Sequence, residues 1–137
     1  ANELRAQLLP LLGEAITSLH WADFETLVDL VFARSGWNRS SALGGTVKDI
    51  DLELENPVTA ERAFVQVKST ADQAVLDDYI ERFDQAGTCQ RMFFVCHSPR
   101  GELTARDRSD VQVWKPESFA MAVMRSGLQD WVFEKLS

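Results

Sequence analysis

Seven residues, "DIDLELE" from Asp49 to Glu55, alternate acid and apolar without a break. A strict period of two fits an extended strand, because successive strand side chains leave on opposite faces. Ile50, Leu52 and Leu54 then share one face, and Asp49, Asp51, Glu53 and Glu55 share the other. "NPVTAE" follows with turn-forming residues. After it comes "RAFVQVKS", where Val65 and Val67 alternate with Gln66 and Lys68. Two such runs about a short turn predict a β-hairpin.

The flanking segments read as helices and further strands. Leu4, Leu8, Leu11, Leu12, Ala15, Ile16 and Leu19 have helical spacing, with Pro10 expected to kink or split that helix. A second helix follows, with Asp23 as its expected cap and Phe24, Leu27, Val28, Val31 and Phe32 as its apolar face. Gly36 is placed to end it. "NRSSALGG" reads as a polar loop. After the hairpin, Ala74, Leu76, Tyr79, Ile80 and Phe83 predict a helix ended by Gly87. Ser69, Thr70 or both are expected to cap it. "RMFFVCHS" is apolar enough for a strand covered on both faces. A loop, a short strand "VQVW" and a terminal helix, or two helices broken near Gly127, complete the chain. The expected order α–α–β–β–α–β–β–α implies an α/β fold with a four- or five-stranded mixed sheet flanked by helices.

The 137 residues suit one domain, 1–137, and the 45% hydrophobic share is enough for a core. No apolar run is as long as a membrane span, and no leader pattern opens the chain. The chain starts with Ala rather than Met, as a processed or excised chain would. Cys89 and Cys96 are too few for a disulfide framework and lack zinc-site spacing, so Cys96 reads as a buried small hydrophobe in a reducing, cytoplasmic setting. With 21 acids against 14 bases, the chain is not a general nucleic-acid coat. His20, Trp21 and Trp37 read as packing residues beside the acid-bearing helix, and His97 as the end of an apolar strand.

The hairpin's polar face is chemically specific. Asp is disfavoured in strands, and like charges on one face repel, yet Asp49 and Asp51 stand two apart. A solvated acidic face is the plain account, and it suits Glu53 and Glu55. A divalent cation is the sharper account, because Mg²⁺ takes oxygen ligands. Gln66 and Lys68 then place an amide oxygen and an ammonium on one strand face. An acid, then a second oxygen ligand, one apolar residue and Lys is the PD-(D/E)xK nuclease pattern. Phosphodiester hydrolysis uses a metal to acidify water, oxygens to hold that metal, and a cation beside the water or the developing charge.

From about Trp21 to Phe94 the sequence resembles the Mrr-like type IV restriction endonucleases. The resemblance is carried by "DFETLVDLVFARSGW", "GGTVKDIDLEL" and "FVQVKS". It implies a restriction-endonuclease-like domain acting on DNA, with RNA the alternative. The implied cofactor is Mg²⁺, replaceable by Mn²⁺. Asp51 takes the metal-carboxylate position and Gln66 the second-ligand position. The Val67 main-chain carbonyl also reaches the metal, Glu25 acts on it directly or through water, and Lys68 orients or activates the water. By their charge and place in the chain, Lys48, Arg106 and Arg108 are the expected phosphate contacts, with Arg39 and Arg100 as further nearby cations. The chain departs from the family where Gln66 replaces the commoner Glu and Asp49 replaces a glycine. A catalytically degenerate fold, binding nucleic acid or a protein, is the alternative function. No recognition domain is visible, so another segment or subunit is expected to supply specificity, with a homodimer as one arrangement.

Overall fold

The computed structural model describes residues 2–46 and 49–137, with side chains described except at residues 2, 40–46 and 49–51. Two helices come first, α1 (Asn2–Thr17) and α2 (Trp21–Arg34). Three strands follow: β1 (Asn38–Thr46), β2 (Asp49–Glu55) and β3 (Arg62–Ala71). Helix α3 (Gln73–Ala86) crosses over to β4 (Arg91–Pro99) and β5 (Val111–Trp114). Helices α4 (Pro116–Arg125) and α5 (Gln129–Lys135) end the chain, broken at Gly127 with φ 71°.

The sheet runs β1-β2-β3-β4-β5. The first three strands pair antiparallel, and β3–β4 and β4–β5 pair parallel, so the sheet is mixed. The predicted hairpin is β2–β3, turning on Asn56, whose Oδ1 accepts from the Val58 and Thr59 amides at 3.0 and 3.3 Å. Each face has its own core. Val65, Val67, Phe93 and Val95 pack with Leu12, Ile16, Phe24, Val28 and Phe119 on the α1, α2 and α4 side. Met92, Phe94 and Cys96 pack with Leu76 and Phe83 on the α3 side. β4 is therefore covered on both faces, as its unbroken apolar run predicts.

Several local expectations are corrected. "NRSSALGG" lies within strand β1 rather than in a loop. Its backbone pairs with β2 from Asn38↔Glu55 to Thr46↔Asp49, with irregular steps at Arg39/Ser41 and Ala42/Gly44. The neighbouring strand supplies hydrogen-bond partners, and that outweighs weak intrinsic preference. Pro10 sits inside α1 without dividing it. Pro10 and Ala6 are both exposed, so water can take the carbonyl that proline leaves without a donor. Pro10→Ala is expected to stabilise the protein by up to about 3 kcal/mol, read as a higher melting temperature. An unchanged melt would mean that the bond restored at Ala6 contributes nothing.

Helix α2 starts at His20, not Asp23: the Ala22 amide donates to His20 Nδ1 at 3.3 Å. Asp23 lies in the first turn instead, where a carboxylate favours the helix dipole. Ser69 and Thr70 stay in β3, and Asp72 caps α3 by accepting from the Val75 amide at 3.1 Å. Gly87 ends that helix in the left-handed region, φ 64°. Ala74 is exposed, because the buried stripe of α3 runs through Leu76 and Phe83.

Candidate active site

The alternation of β3 divides its side chains between the two cores. Val65 and Val67 face α2, while Phe64 and Lys68 face α3. Gln66 lies between Phe64 and Lys68 in that alternation. Lys68 Nζ stands 5.5 Å from the Tyr79 ring centroid, so the α3 aromatic helps hold the ammonium. Across the hairpin, Asp51 is the register partner of Gln66, and Asp49 that of Lys68. The residues of the motif thus meet at alternate rungs of one antiparallel ladder, with Ile50↔Val67 between them. The side chains of Asp49 and Asp51 lie outside the described residues, as does the whole of Lys48.

Gln66 is the unusual member. It is 0% exposed, the one buried polar or charged residue among those described. Among the described residues, neither its Oε1 nor its Nε2 has a hydrogen-bond partner. Native proteins rarely leave a buried amide unpaired, because that costs about 1–3 kcal/mol. The residue's type and spacing are visible in the sequence, but its isolation is not. An orphaned carbonyl oxygen suits a hard cation or a water held beside one. Among the described residues, no three His, Cys, Asp or Glu side chains group as a metal site.

Glu25 lies on α2, the helix that covers the other face of β3. Partial burial, and then the like charge of Asp29 one turn on, hold its carboxyl above the ordinary range. Its ionisation therefore opposes folding, so this contribution weakens stability as pH rises through the folded value. Val67 is buried at 1% exposure, with its side chain in the α2-side core.

Arg106 and Arg108 are already engaged. Arg106 pairs with Asp77 at 2.9 Å. Arg108 pairs with Asp84 at 2.7 Å and Asp110 at 2.9 Å. Gln73 adds two bonds, donating to the Thr104 carbonyl at 2.9 Å and accepting from its amide at 2.8 Å. Together these contacts strap the loop between β4 and β5 onto α3. The arginines hold Asp77, Asp84 and Asp110 below the usual carboxylate range. Such groups contribute stability above their unfolded range and lose it as pH falls through the folded value. The strap is expected to loosen as pH drops below about 4. Amide exchange across residues 99–110, corrected for intrinsic rates, should report it, and equal protection at neutral and acid pH would refute it.

The remaining candidates have these surroundings. His97 sets Nε2 2.9 Å from the Leu19 carbonyl and Nδ1 2.8 Å from Ser98 Oγ, and its ring meets Phe24 edge-on at 4.9 Å. Trp21 stacks on Phe24 and Trp37 meets Phe93, which agrees with packing roles. Arg39 pairs with Asp29 at 2.9 Å, and the Arg100 amide donates to the Ala71 carbonyl. Both cysteines are free, and burial pushes the Cys96 thiol up to about 11, as expected of an inert core residue.

The hairpin register, the mixed sheet and the order of elements have a counterpart among known families. The restriction endonuclease family model for the Mrr catalytic domain matches residues 16–106, about two-thirds of the chain. The chain belongs to the Mrr restriction endonuclease family. The match takes in α2, the β2–β3 hairpin, α3 and β4. The restriction-endonuclease-like α/β fold is thereby established, and the family suggests a nuclease domain. No curated protein matches the chain. No described helix is long and apolar enough to cross a membrane.

Proposed function

We propose that this Mrr-family domain hydrolyses phosphodiester bonds in DNA with the help of Mg²⁺, for which Mn²⁺ can substitute. The observation that carries the reading is the buried amide of Gln66, unpartnered among the described residues, with Asp51 across the ladder and Lys68 two residues on. Asp51 and the Gln66 carbonyl oxygen would hold the ion. The Val67 main-chain carbonyl adds a further oxygen, and Glu25, carried on the helix over the other face of β3, acts through water. Bound there, the ion would polarise a phosphoryl oxygen and acidify a water. Lys68 orients that water and offsets charge developing on the phosphate, steadied by Tyr79. Lys48, Arg106 and Arg108 meet the flanking phosphates. For the two arginines this means exchanging a carboxylate partner for a phosphate.

A second reading, a degenerate nuclease fold that only binds, is favoured by Gln66 itself. An amide brings one oxygen and no charge, so it holds a cation less strongly than the family's usual Glu. The net charge of −7 also makes metal-free DNA binding weak, with Kd about 10⁻⁴–10⁻⁶ M or poorer.

The test measures DNA affinity and cleavage together. Ca²⁺ at fixed ionic strength should tighten DNA binding without cleavage, Mg²⁺ should support cleavage, and Asp51→Asn should remove both effects. Metal-tightened binding with no Mg²⁺ or Mn²⁺ cleavage would favour the binding module. Indifference to metal and to Asp51→Asn would overturn both readings of the site.

A further inference from the structure

The face of β3 that carries Gln66 and Lys68 also borders a cavity of about 200 Å³ between the hairpin and α3. Phe64 stands two residues before Gln66 on that face, about 7 Å along the strand. Phe64, Tyr79 and Phe83 give the cavity aromatic walls, with Cys89 beside them. Its polar lining is small: Thr88 and two charged side chains. Glu53 lines it with a carboxylate only 14% exposed, paired with Arg62 at 3.0 Å. Arg82 lies 4.7 Å over the Tyr79 ring and pairs with Asp78. Tyr79 is shared with the candidate active site, because the Lys68 ammonium also lies 5.5 Å from its ring centroid.

Each feature narrows the occupant. Aromatic walls favour a flat ring that can stack. The volume is below the roughly 300 Å³ at which pockets for drug-sized ligands begin, so one ring system fits. A carboxylate has several lone pairs, so Glu53 can accept from a donor such as a ring amino group in addition to Arg62. The 7 Å step to Gln66 is short enough for a base and a nearby phosphate of one strand to span. We infer that this cavity takes a nucleobase bearing an exocyclic amino group, unstacked from the strand whose phosphate lies at Gln66 and Lys68. The inference rests on the nuclease reading and adds a base-binding position to it. Holding a base out of its stack selects single-stranded or locally opened DNA, where unstacking costs least.

The test reads binding without metal, so cleavage plays no part in it. Cys89 is partly accessible, whereas Cys96 is fully buried, so iodoacetamide reports on the cavity. Deoxycytidine, deoxyadenosine and deoxyguanosine monophosphates should slow Cys89 alkylation. Thymidine monophosphate should do so less, and deoxyribose 5-phosphate not at all. The ring protons of Tyr79, the chain's one tyrosine, should shift in the same order and serve where the thiol reacts too slowly. Ala86 is exposed at the rim, so Ala86→Trp can obstruct the cavity without disturbing the core. That variant should melt like the wild type yet bind a single-stranded oligonucleotide about tenfold more weakly, the size of one lost base stack. Equal protection by deoxyribose 5-phosphate, or no protection and no Tyr79 shift with any nucleotide, overturns the inference even where the wild type cuts DNA. Base-dependent protection in a protein that cuts nothing leaves the cavity standing and removes the nuclease reading.

Discussion

Lys68→Ala is expected to reduce Mg²⁺-dependent DNA cleavage by about 10²–10³-fold, the usual effect of removing one preorganised group that stabilises transition-state charge. The fold should survive. The side chain is partly exposed, and its contact with the Tyr79 ring is worth about 0.5–1 kcal/mol in such surroundings. Metal binding should survive as well, because an ammonium does not ligate a cation. Cleavage of a DNA duplex under single-turnover conditions, beside a thermal melt and a Ca²⁺ titration, separates these effects. Lys68→Arg should not restore full activity, since a planar guanidinium cannot reproduce the compact charge of an ammonium. Unchanged cleavage in a Lys68→Ala protein of normal stability would remove Lys68 from the chemistry.

Gln66→Leu is expected to make the protein more stable and inactive at once. The wild-type amide is wholly buried, with both polar atoms unpaired among the described residues. Replacing it with an apolar side chain of similar volume removes a desolvation penalty of about 1–3 kcal/mol. For a domain of this size that raises the melting temperature by several degrees, about 3–10 °C. The same change deletes the oxygen offered to the cation, so Ca²⁺ should no longer raise the melting temperature and cleavage should fall. Gln66→Glu is the converse. It buries a carboxylate that is costly without metal and favourable with it, so its stability should depend on divalent ion more steeply than that of the wild type. A Gln66→Leu protein that is less stable, with an unaltered response to metal, would show that the amide serves the fold alone.

Much of the fold is legible because it rests on periodicity. "DIDLELE" and "FVQVKS" alternate, so the hairpin and the division of faces follow from strand geometry. β4 declares itself by an unbroken apolar run, and α3 by its spacing and Gly87. β1 is not legible, since its Ser- and Gly-rich residues have little strand preference and its extended form comes from pairing with β2. The continuity of α1 through Pro10 likewise depends on which side of the helix meets water. The arginines show the same limit at the site. Their charge is plain in the sequence, but Arg106 finds Asp77 and Arg108 finds Asp84 only when the loop closes on α3.

The sequence by itself determined the residue types and their spacing: acids on one strand, Gln66 and Lys68 two apart on the next, and so the family. Only the tertiary structure decided that Gln66 lies sealed from solvent without a partner among the described residues, and that Phe64, Tyr79 and Phe83 enclose a cavity beside it. The reason is physical. Alternation and helical period are properties of neighbours in the chain, whereas burial and an unmet hydrogen bond depend on what distant segments bring to the other side.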